Sequence, residues 1–293
     1  TAGLSTDIVA SLNTNAIGSL TTAQIAALTT DQAANLTTTT VKALTTRQIA
    51  VLENEDLAVL TSENVAALTS VQLQALTTSQ IAGLSSQQVF DLNATTLQAL
   101  TTRQVAALET RDVAAMSTVS LSNLLSTQLQ ALTTAQIAGL SSQQLVDLST
   151  TTLKNLASSQ IAAIETTDIS ALTTVQLRAL SSVQQQALTT AQVSNLTNEQ
   201  LLGLSSTALG SLTTQQLSAL NATKLNNLDT ASVTGLIGSQ LASLTTTQTA
   251  GLSTDIVASL NTNAIGSLTT AQIVALTTDQ VTNLITKTVN ALT

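Results

Sequence analysis

The sequence of 293 residues contains no cysteine, histidine, proline, tryptophan or tyrosine, and its only phenylalanine and methionine are Phe90 and Met116. Without histidine or cysteine it cannot form a Ser-His-Asp or Cys-His catalytic site, a zinc finger, an iron–sulfur cluster or a disulfide. Aromatic side chains usually supply much of the buried area of a globular core. The composition therefore predicts a protein that is not an enzyme, has no cofactor or metal, and lacks an ordinary core.

Charge is also scarce, since only 8% of the residues are charged against about 25% in a typical protein. Eight basic and 16 acidic residues give a net charge of −8. With no basic patch and no aromatic platform for bases, the chain is not expected to bind nucleic acid. The mean hydropathy is +0.33, but Thr and Ser pairs interrupt every apolar run before the roughly 18 residues of a membrane span. No signal peptide is visible.

What the sequence does contain is an eight-residue repeat. A hydrophobic residue recurs every eight positions from Leu4 to Leu292, at 37 sites, without insertion or deletion, and all but Met116 and Ile164 are Leu. We call this residue position one of an octad. Position six is Ile, Leu or Val in 33 of 36 octads, the exceptions being Ala33, Gln185 and Thr249. The consensus L-T-T-x-Q-[ILV]-x-A predicts one continuous array over residues 1–293.

Two longer periods lie on top of the octad. The residues that recur 56 positions apart are Glu53, Glu109 and Glu165; Asp56, Asp112 and Asp168; and Thr40, Thr96 and Thr152. Residues 249–293 repeat residues 1–45 with six differences, which is a spacing of 248 residues or 31 octads. We therefore predict that 249–293 begins a second copy of a unit starting at residue 1. The ends are expected to continue into further octads or into another subunit.

An eight-residue repeat could form a solenoid of short helices, a continuous coiled coil or a β-solenoid. A continuous coiled coil is excluded, because eight residues over two turns is 4.0 per turn, whereas supercoiled helices use about 3.5 to 3.67. A β-solenoid is the stronger alternative. Position six follows position one by five residues, and position one of the next octad follows position six by three residues. Both intervals are odd, so a strand would turn one hydrophobic residue outward in every repeat.

Short helices explain more positions. Position two is Ser, Thr, Asn or Asp in 29 of 36 octads, and position five is Gln in 20. This pattern is typical of a capping box with position two as N-cap, and it makes positions one and six the pair of a hydrophobic staple. Fourteen of 16 acids lie at positions two, four or five, which suits the beginning of a helix. Nine of ten glycines lie at positions seven or eight, which suits the end of a helix.

The sequence therefore predicts an all-α solenoid with one helix of about six residues in each octad, with the β-solenoid as the alternative. Helices this short are unstable alone, so neighbouring turns must stack and bury each other. The number of octads in a turn does not follow from the repeat.

The segment LTTAQIAALTTDQ (Leu20–Gln32) and its variants resemble repeats of very large repetitive bacterial surface proteins, which are often labelled adhesins or heme-utilisation or adhesion proteins. The resemblance covers essentially the whole chain. It implies an extracellular or cell-surface location and a structural or adhesive role, and it carries no catalytic residues. The heme label has no support in the residues, because the chain lacks His, Cys and Tyr and Met116 is expected to be a core substitution.

The acids that follow the longer period are candidates for a cation-binding stripe, if the turns bring them together. They are Glu53, Glu55, Asp56, Glu109, Asp112, Glu165 and Asp168. Calcium prefers several oxygens from a tight loop with a glycine turn, which is absent. We therefore interpret these acids as helix-capping and helix-dipole residues and predict no metal site. Arg47 and Arg103, which follow the same period, are candidate ion-pair partners for them.

Other polar positions permit further interpretations. Gln185 and Thr249 at position six are expected to be tolerated polar core residues, with a contact face as the alternative. Four asparagines fit the N-x-[ST] glycosylation motif, namely Asn35, Asn93, Asn195 and Asn221, but the motif is frequent by chance in so Thr-rich a chain. Threonine at position three has no capping role, so a regular ladder of hydroxyls could organise water as in ice-binding solenoids.

The sequence as a whole predicts a structural protein that forms an extended rod, fibre or sheath at a bacterial surface. A repeat without insertions gives a uniform array, and a surface with little charge allows lateral packing of identical copies. Copies of itself, or further repeats of the same long chain, are therefore the expected partners. The alternative is an adhesin shaft or binding module whose faces engage a glycan, a surface or ice.

Overall fold

The computed structural model describes residues 5–284. Its internal contacts divide the chain into two compact units, unit 1 (Thr1–Leu148) and unit 2 (Ser149–Thr293). All regular structure in the described residues is helical, and no strand occurs there. The prediction of an all-α fold is confirmed, and the β-solenoid alternative is wrong.

The helices of unit 1 are numbered α1 to α18 in chain order. They span Thr6–Ala10, Thr14–Ser19, Thr22–Ala26, Thr30–Ala34, Thr38–Ala43, Thr46–Ile49, Asn54–Val59, Ser62–Ala66, Ser70–Ala75, Thr78–Ala82, Ser86–Phe90, Ala94–Ala99, Thr102–Ala107, Thr110–Ala115, Thr118–Ser122, Ser126–Ala131, Thr134–Ala138 and Ser142–Asp147.

The helices of unit 2 are numbered α19 to α34. They span Thr150–Asn155, Ser158–Ala163, Thr166–Ile169, Thr174–Ala179, Ser182–Ala187, Thr190–Asn195, Asn198–Leu202, Ser206–Ser211, Thr214–Ser218, Ala222–Leu225, Gly238–Ala242, Thr246–Ala250, Thr254–Ser259, Thr262–Ile265, Thr270–Ala275 and Thr278–Leu284. A 3-10 helix, η1 (Ser232–Gly235), takes the place of an α-helix between α28 and α29. Each octad in the described part of the chain thus forms one helix, as predicted.

The chain changes direction between helices through two extended residues at positions one and two. Before α10, for example, Leu76 has φ −62° and ψ 136° and Thr77 has φ −70° and ψ 160°. No described residue, glycine included, has a positive φ. The glycines near helix ends are therefore not needed for a left-handed conformation, and Gly83 at the end of α10 is right-handed (φ −86°, ψ −3°).

The predicted capping box is confirmed. In α13, the Gln104 amide N–H donates to Thr101 Oγ1 (3.3 Å), and the Thr101 amide N–H donates to Gln104 Oε1 (2.9 Å). Where position two has no polar side chain, half of the box remains, as in α20, where the Ala157 amide N–H donates to Gln160 Oε1 (2.8 Å). The capping role predicted for the glutamates at position two is wrong, because the side chains of Glu53, Glu109 and Glu165 make no cap hydrogen bond.

Restoring the missing hydroxyl of α20 is expected to stabilise unit 2. Because Ala157 provides no acceptor, Ala157→Thr should raise the free energy of unfolding by about 1 kcal/mol, the usual value of an N-cap. Thr133→Ala is the matched reverse change, since the Thr133 side chain accepts from the Gln136 amide (3.1 Å), and it should lower stability by a similar amount. Chemical denaturation followed by circular dichroism measures both, and equal stability of all three proteins would contradict the capping role.

Each turn of the solenoid contains three octads. In unit 1, α7 packs against α4 and α10, and in unit 2, α22 packs against α19 and α25. Helices three apart in the chain are therefore neighbours in space, on successive turns. Positions one and six fill the interior, as shown by Leu73 and Leu76, which are 0% and 4% exposed. The residues at positions one and six, which were predicted to form hydrophobic staples, therefore make up the core.

Residues that break the core pattern are accommodated individually. Met116 is 3% exposed and takes the place of a core Leu. Gln185 is buried, and its Oε1 accepts a hydrogen bond from Ser211 Oγ (2.7 Å). Thr249 is buried, and its hydroxyl donates to the carbonyl of Thr245 (3.0 Å). Gln185 and Thr249 are therefore satisfied polar core residues, as predicted.

The hydroxyl of Thr249 is expected to be dispensable. It lies among apolar side chains that include Leu252 and Val257, and the carbonyl it contacts already accepts the Thr249 amide N–H (2.9 Å). Thr249→Val should raise the free energy of unfolding by roughly 1 kcal/mol, because a methyl replaces a buried polar group. Thr247→Val, at an exposed position of the same helix, should change it by less than about 0.5 kcal/mol. Thermal denaturation compares them, and a loss of stability in Thr249→Val would show that the hydroxyl is required.

Candidate functional site

The glutamines at position five join successive turns. The side-chain amide Nε2 of Gln104 donates to the carbonyl oxygens of Leu73 (2.6 Å) and Leu76 (2.8 Å), which belong to the preceding turn. Its Oε1 accepts from the Thr101 amide N–H (2.9 Å). One buried side chain, only 2% exposed, thus caps its own helix and holds the preceding turn. We call each such contact a glutamine seam.

The seam recurs with nearly constant geometry in both units. In unit 1 it is formed by Gln48, Gln72, Gln80, Gln88, Gln104, Gln128, Gln136 and Gln144. In unit 2 it is formed by Gln184, Gln192, Gln200, Gln216, Gln240, Gln248, Gln272 and Gln280.

The seams solve the main difficulty of very short helices. A helix of about six residues leaves most of its C-terminal carbonyls without an intrahelical partner, and buried unpaired carbonyls cost about 1–3 kcal/mol each. The glutamine amide supplies donors to the carbonyls of positions six and one, at the point where a helix ends. Capping predicts glutamine or glutamate at position five, but of the two only glutamine donates as well as accepts when the carboxyl group is ionised. This second role of the amide does not follow from the capping rule.

Residues other than glutamine at position five show which contact matters. Asn64 is shorter, and its Nδ2 donates only to the carbonyl of Leu36 (2.7 Å) in the preceding turn. Lys224 reaches the carbonyl of Leu196 (2.6 Å), which occupies the equivalent place in its own preceding turn. The carbonyl of position one in the preceding turn is therefore the common acceptor.

Two octads of unit 1 have a carboxyl group at this position. Asp56 and Asp112 are 2% and 0% exposed, and the Oδ2 atom of each has no hydrogen-bond partner. Asp112 Oδ1 accepts from Ser86 Oγ (2.6 Å) and lies 3.5 Å from Arg111 Nε. Burial, reinforced by the charges of Glu53 and Glu55, raises the pKa of Asp56 to about 6.

The longer period does not bring its acids together within unit 1. Its seven octads are two turns plus one octad, so Asp56 on α7 and Asp112 on α14 lie on different faces of the solenoid. Acids three octads apart do share a face, as Asp31 on α4 and Glu55 on α7 do. Within residues 5–284, no group of three or more acidic side chains has the arrangement of a metal site. The cation-binding stripe therefore does not form as hypothesised.

The ion pairs expected for Arg47 and Arg103 do not form among the described residues. The ion pairs of the described residues belong to Arg111, whose Nη2 lies 2.8 Å from Glu109 Oε2 and whose Nε approaches Asp112. Neither Arg47 nor Arg103 takes part in an ion pair there. The pairing proposed for Arg47 and Arg103 is wrong, because position four of the neighbouring turn carries other residues, such as Val71 beside Arg47.

The asparagines of the glycosylation motif all have hydrogen-bonding roles. The side-chain oxygens of Asn93 and Asn221 cap their helices. The Nδ2 of Asn35 donates to the carbonyl of Asp31 (2.7 Å), and that of Asn195 to the carbonyl of Thr166 (3.2 Å).

The outer surface offers hydroxyl groups and shallow polar grooves. On one face of unit 1, Thr22, Thr46 and Ser70 at position three are exposed on successive turns. In unit 2, a groove of about 530 Å³ lies between two turns and is lined by residues that include Thr173 and Asn198. No helix among the described residues combines the length and apolar character that a bilayer crossing requires.

Stacked octads, a central aliphatic core and buried amide seams define the class of this protein, which is an α-solenoid repeat protein. The chain belongs to the ALTTAQ repeat family, whose model matches residues 2–38, 49–86, 105–142, 161–198 and 255–286. This match confirms the repeat recognised in the octad consensus, and three of the matched segments begin seven octads apart, in agreement with the longer period. A comparison with curated proteins finds no match.

Proposed function

We propose that this chain is a structural protein whose stacked octads form an extended rod, fibre or sheath at a bacterial surface, and that it has no catalytic activity. The observation that carries the proposal is the glutamine seam, which repeats the same interface between successive turns in each unit. Because each turn contacts mainly the turns before and after it, length grows by repetition without any new interface. Such an interface suits a building element whose reach is set by the number of octads.

The chemistry of the seam supports this role. Its acceptors are backbone carbonyls, which every residue provides, and its donors come from a single side chain at position five. Any octad with hydrophobic residues at positions one and six and glutamine at position five can therefore stack on any other. This tolerance allows an array to vary at the surface while keeping its core.

Addition of whole turns tests the proposal. Duplicating the segment 69–92, three octads that each carry a glutamine seam, adds one complete turn. Small-angle X-ray scattering of chains with zero, one, two and three added turns should show a maximum dimension that increases by a constant step. In a control series, the added Gln72, Gln80 and Gln88 are replaced by glutamate, and the step should be lost. An unchanged maximum dimension in the first series would refute an extended element.

The location and partners require separate experiments. We propose an extracellular or cell-surface location, and copies of the same chain or further octads as partners, because a surface with few charges opposes lateral packing only weakly. Protease treatment of intact source cells should release the repeats without lysis. Negative-stain electron microscopy and analytical ultracentrifugation should show assemblies that grow with concentration. Protection of the repeats from protease in intact cells would contradict the surface location. A monomer at all concentrations would contradict association between copies.

A second candidate function is that of an adhesin shaft or binding module. The exposed hydroxyls at position three and the groove beside Thr173 and Asn198 favour it, since polar grooves of this kind suit a polyhydroxylated ligand or ordered water. Binding of the isolated chain to a glycan array, or shaping of ice crystals, would support this alternative. Replacing Thr22 and Thr46 by Val, with Thr21 and Thr45 kept as caps, should then abolish ice shaping without loss of helix content.

A further inference from the structure

Position five of α7, the helix that packs against α4, carries the carboxyl group of Asp56 where a glutamine seam has an amide. We call this place the seam between α4 and α7. Asp56 is 2% exposed, and its Oδ2 has no hydrogen-bond partner. The acceptor that corresponds to it in the preceding turn is the position-one carbonyl of Leu28, and no side chain of the described residues donates to that carbonyl. At the equivalent pair of positions, Asn64 Nδ2 lies 2.7 Å from the Leu36 carbonyl oxygen. An ionised carboxylate in the place of that amide would bring two oxygens together, which is repulsive.

The surroundings of Asp56 also disfavour a charge. Glu53 and Glu55 lie on the same octad, α4 contributes Asp31, and α10, on the other side, carries no titratable group; none of these three helices contains Lys or Arg. Asp112 occupies the same octad position but receives a hydrogen bond from Ser86 and has Arg111 beside it. Neighbouring groups therefore compensate a negative charge on Asp112 but not one on Asp56.

We propose that a proton locks the seam between α4 and α7, because neutral Asp56 donates to the Leu28 carbonyl as Asn64 does to that of Leu36. The raised pKa of about 6 agrees with this geometry. The folded state then binds the proton more tightly than the unfolded chain, whose Asp has the ordinary value of 3.8. The seam is fully stable below about pH 4, weakens as the pH rises to about 6, and stays weakened above that. Unit 1 thus contains a turn that tightens in mild acid.

Hydrogen exchange of the full-length chain tests the proposal. The first variant is Asp56→Asn, whose side-chain amide donates at every pH. The second is Asp56→Gln, which restores the consensus residue of position five. Peptides that cover α4 and α7 are compared between variant and wild type at each pH, so that intrinsic exchange rates cancel. The ratio of wild-type to variant exchange should be near one at pH 4 and rise to on the order of tenfold or more at pH 7.5.

Two further measurements make the result specific. Asp31→Asn removes an exposed acid of the same face and should keep the wild-type pH profile. Calcium ions added at pH 7.5 should leave the wild-type exchange unchanged. A ratio that stays constant from pH 4 to pH 8 would overturn the proposal, and so would calcium protection of the wild type that is absent in Asp56→Asn, because a cation and not a proton would then fill the seam.

Discussion

Replacing Gln104 by glutamate is expected to lower the free energy of unfolding by roughly 3–5 kcal/mol at pH 7. The glutamate keeps the length of the side chain and the acceptor for the Thr101 amide N–H. It loses both hydrogen bonds to the carbonyls of Leu73 and Leu76 and places a buried negative charge beside their oxygens. Denaturation by urea and hydrogen exchange of the two turns measure the loss.

The matched control for this change lies in the preceding octad. Gln98 also donates across turns, to the carbonyl of Asn123 (2.9 Å), but from an exposed position. Gln98→Glu should therefore cost less than about 1 kcal/mol, because water solvates the charge. Lowering the pH should restore part of the stability of Gln104→Glu, since a protonated glutamate again provides one donor. If Gln104→Glu costs no more than its control at pH 7, the amide is not needed as a donor.

Replacing Gly235 by alanine is expected to destabilise unit 2 by about 3 kcal/mol, as in other overpacked sites. In this part of the solenoid, position five holds Ala208 and Ser232 instead of glutamine, and the backbones of α26 and η1 touch directly. A Cβ on Gly235 would overlap the carbonyl group of Ser206, and a Cβ on Gly210 would lie 2.7 Å from the Gly235 carbonyl oxygen. Because both neighbours are backbone atoms, neither can rotate away.

Gly83 provides the control for this prediction. It is right-handed at a helix end, and a Cβ there would meet nothing closer than 3.5 Å. Gly83→Ala should be neutral or stabilising by up to about 1 kcal/mol, because alanine restricts the unfolded chain. Thermal unfolding followed by circular dichroism compares the two variants. Equal melting temperatures would mean that the contact between α26 and η1 relaxes without cost.

Much of the local structure could be predicted from the sequence, because each rule acts within one octad. A hydroxyl at position two and glutamine three residues later indicate a helix start whatever surrounds them. Thr101 and Gln104 form the predicted box, and Leu73 and Leu76 lie in the predicted core. The prediction failed where it required knowledge of which octads are neighbours in space, as for Arg47, Arg103 and the acids of the longer period.

A signal for the seam was nevertheless present in the sequence. Position five contains 20 glutamines and no glutamate. Near a helix N-terminus glutamate is normally as good a residue as glutamine for a capping box, and the helix dipole favours its charge. The preference for glutamine over glutamate therefore indicates that a donor is favoured at this position, although it does not say where the acceptor lies.

By itself the sequence determined the octad, the short capped helices and the aliphatic core, since these depend on residue type and local spacing. Only the tertiary structure decided that three octads make a turn, that Gln104 reaches Leu73 and Leu76, and that Asp56 is buried with one carboxyl oxygen that has no hydrogen-bond partner. The reason is physical: extended residues at positions one and two set the angle between helices. Small changes in that angle, invisible in the octad, decide which residues meet one turn later.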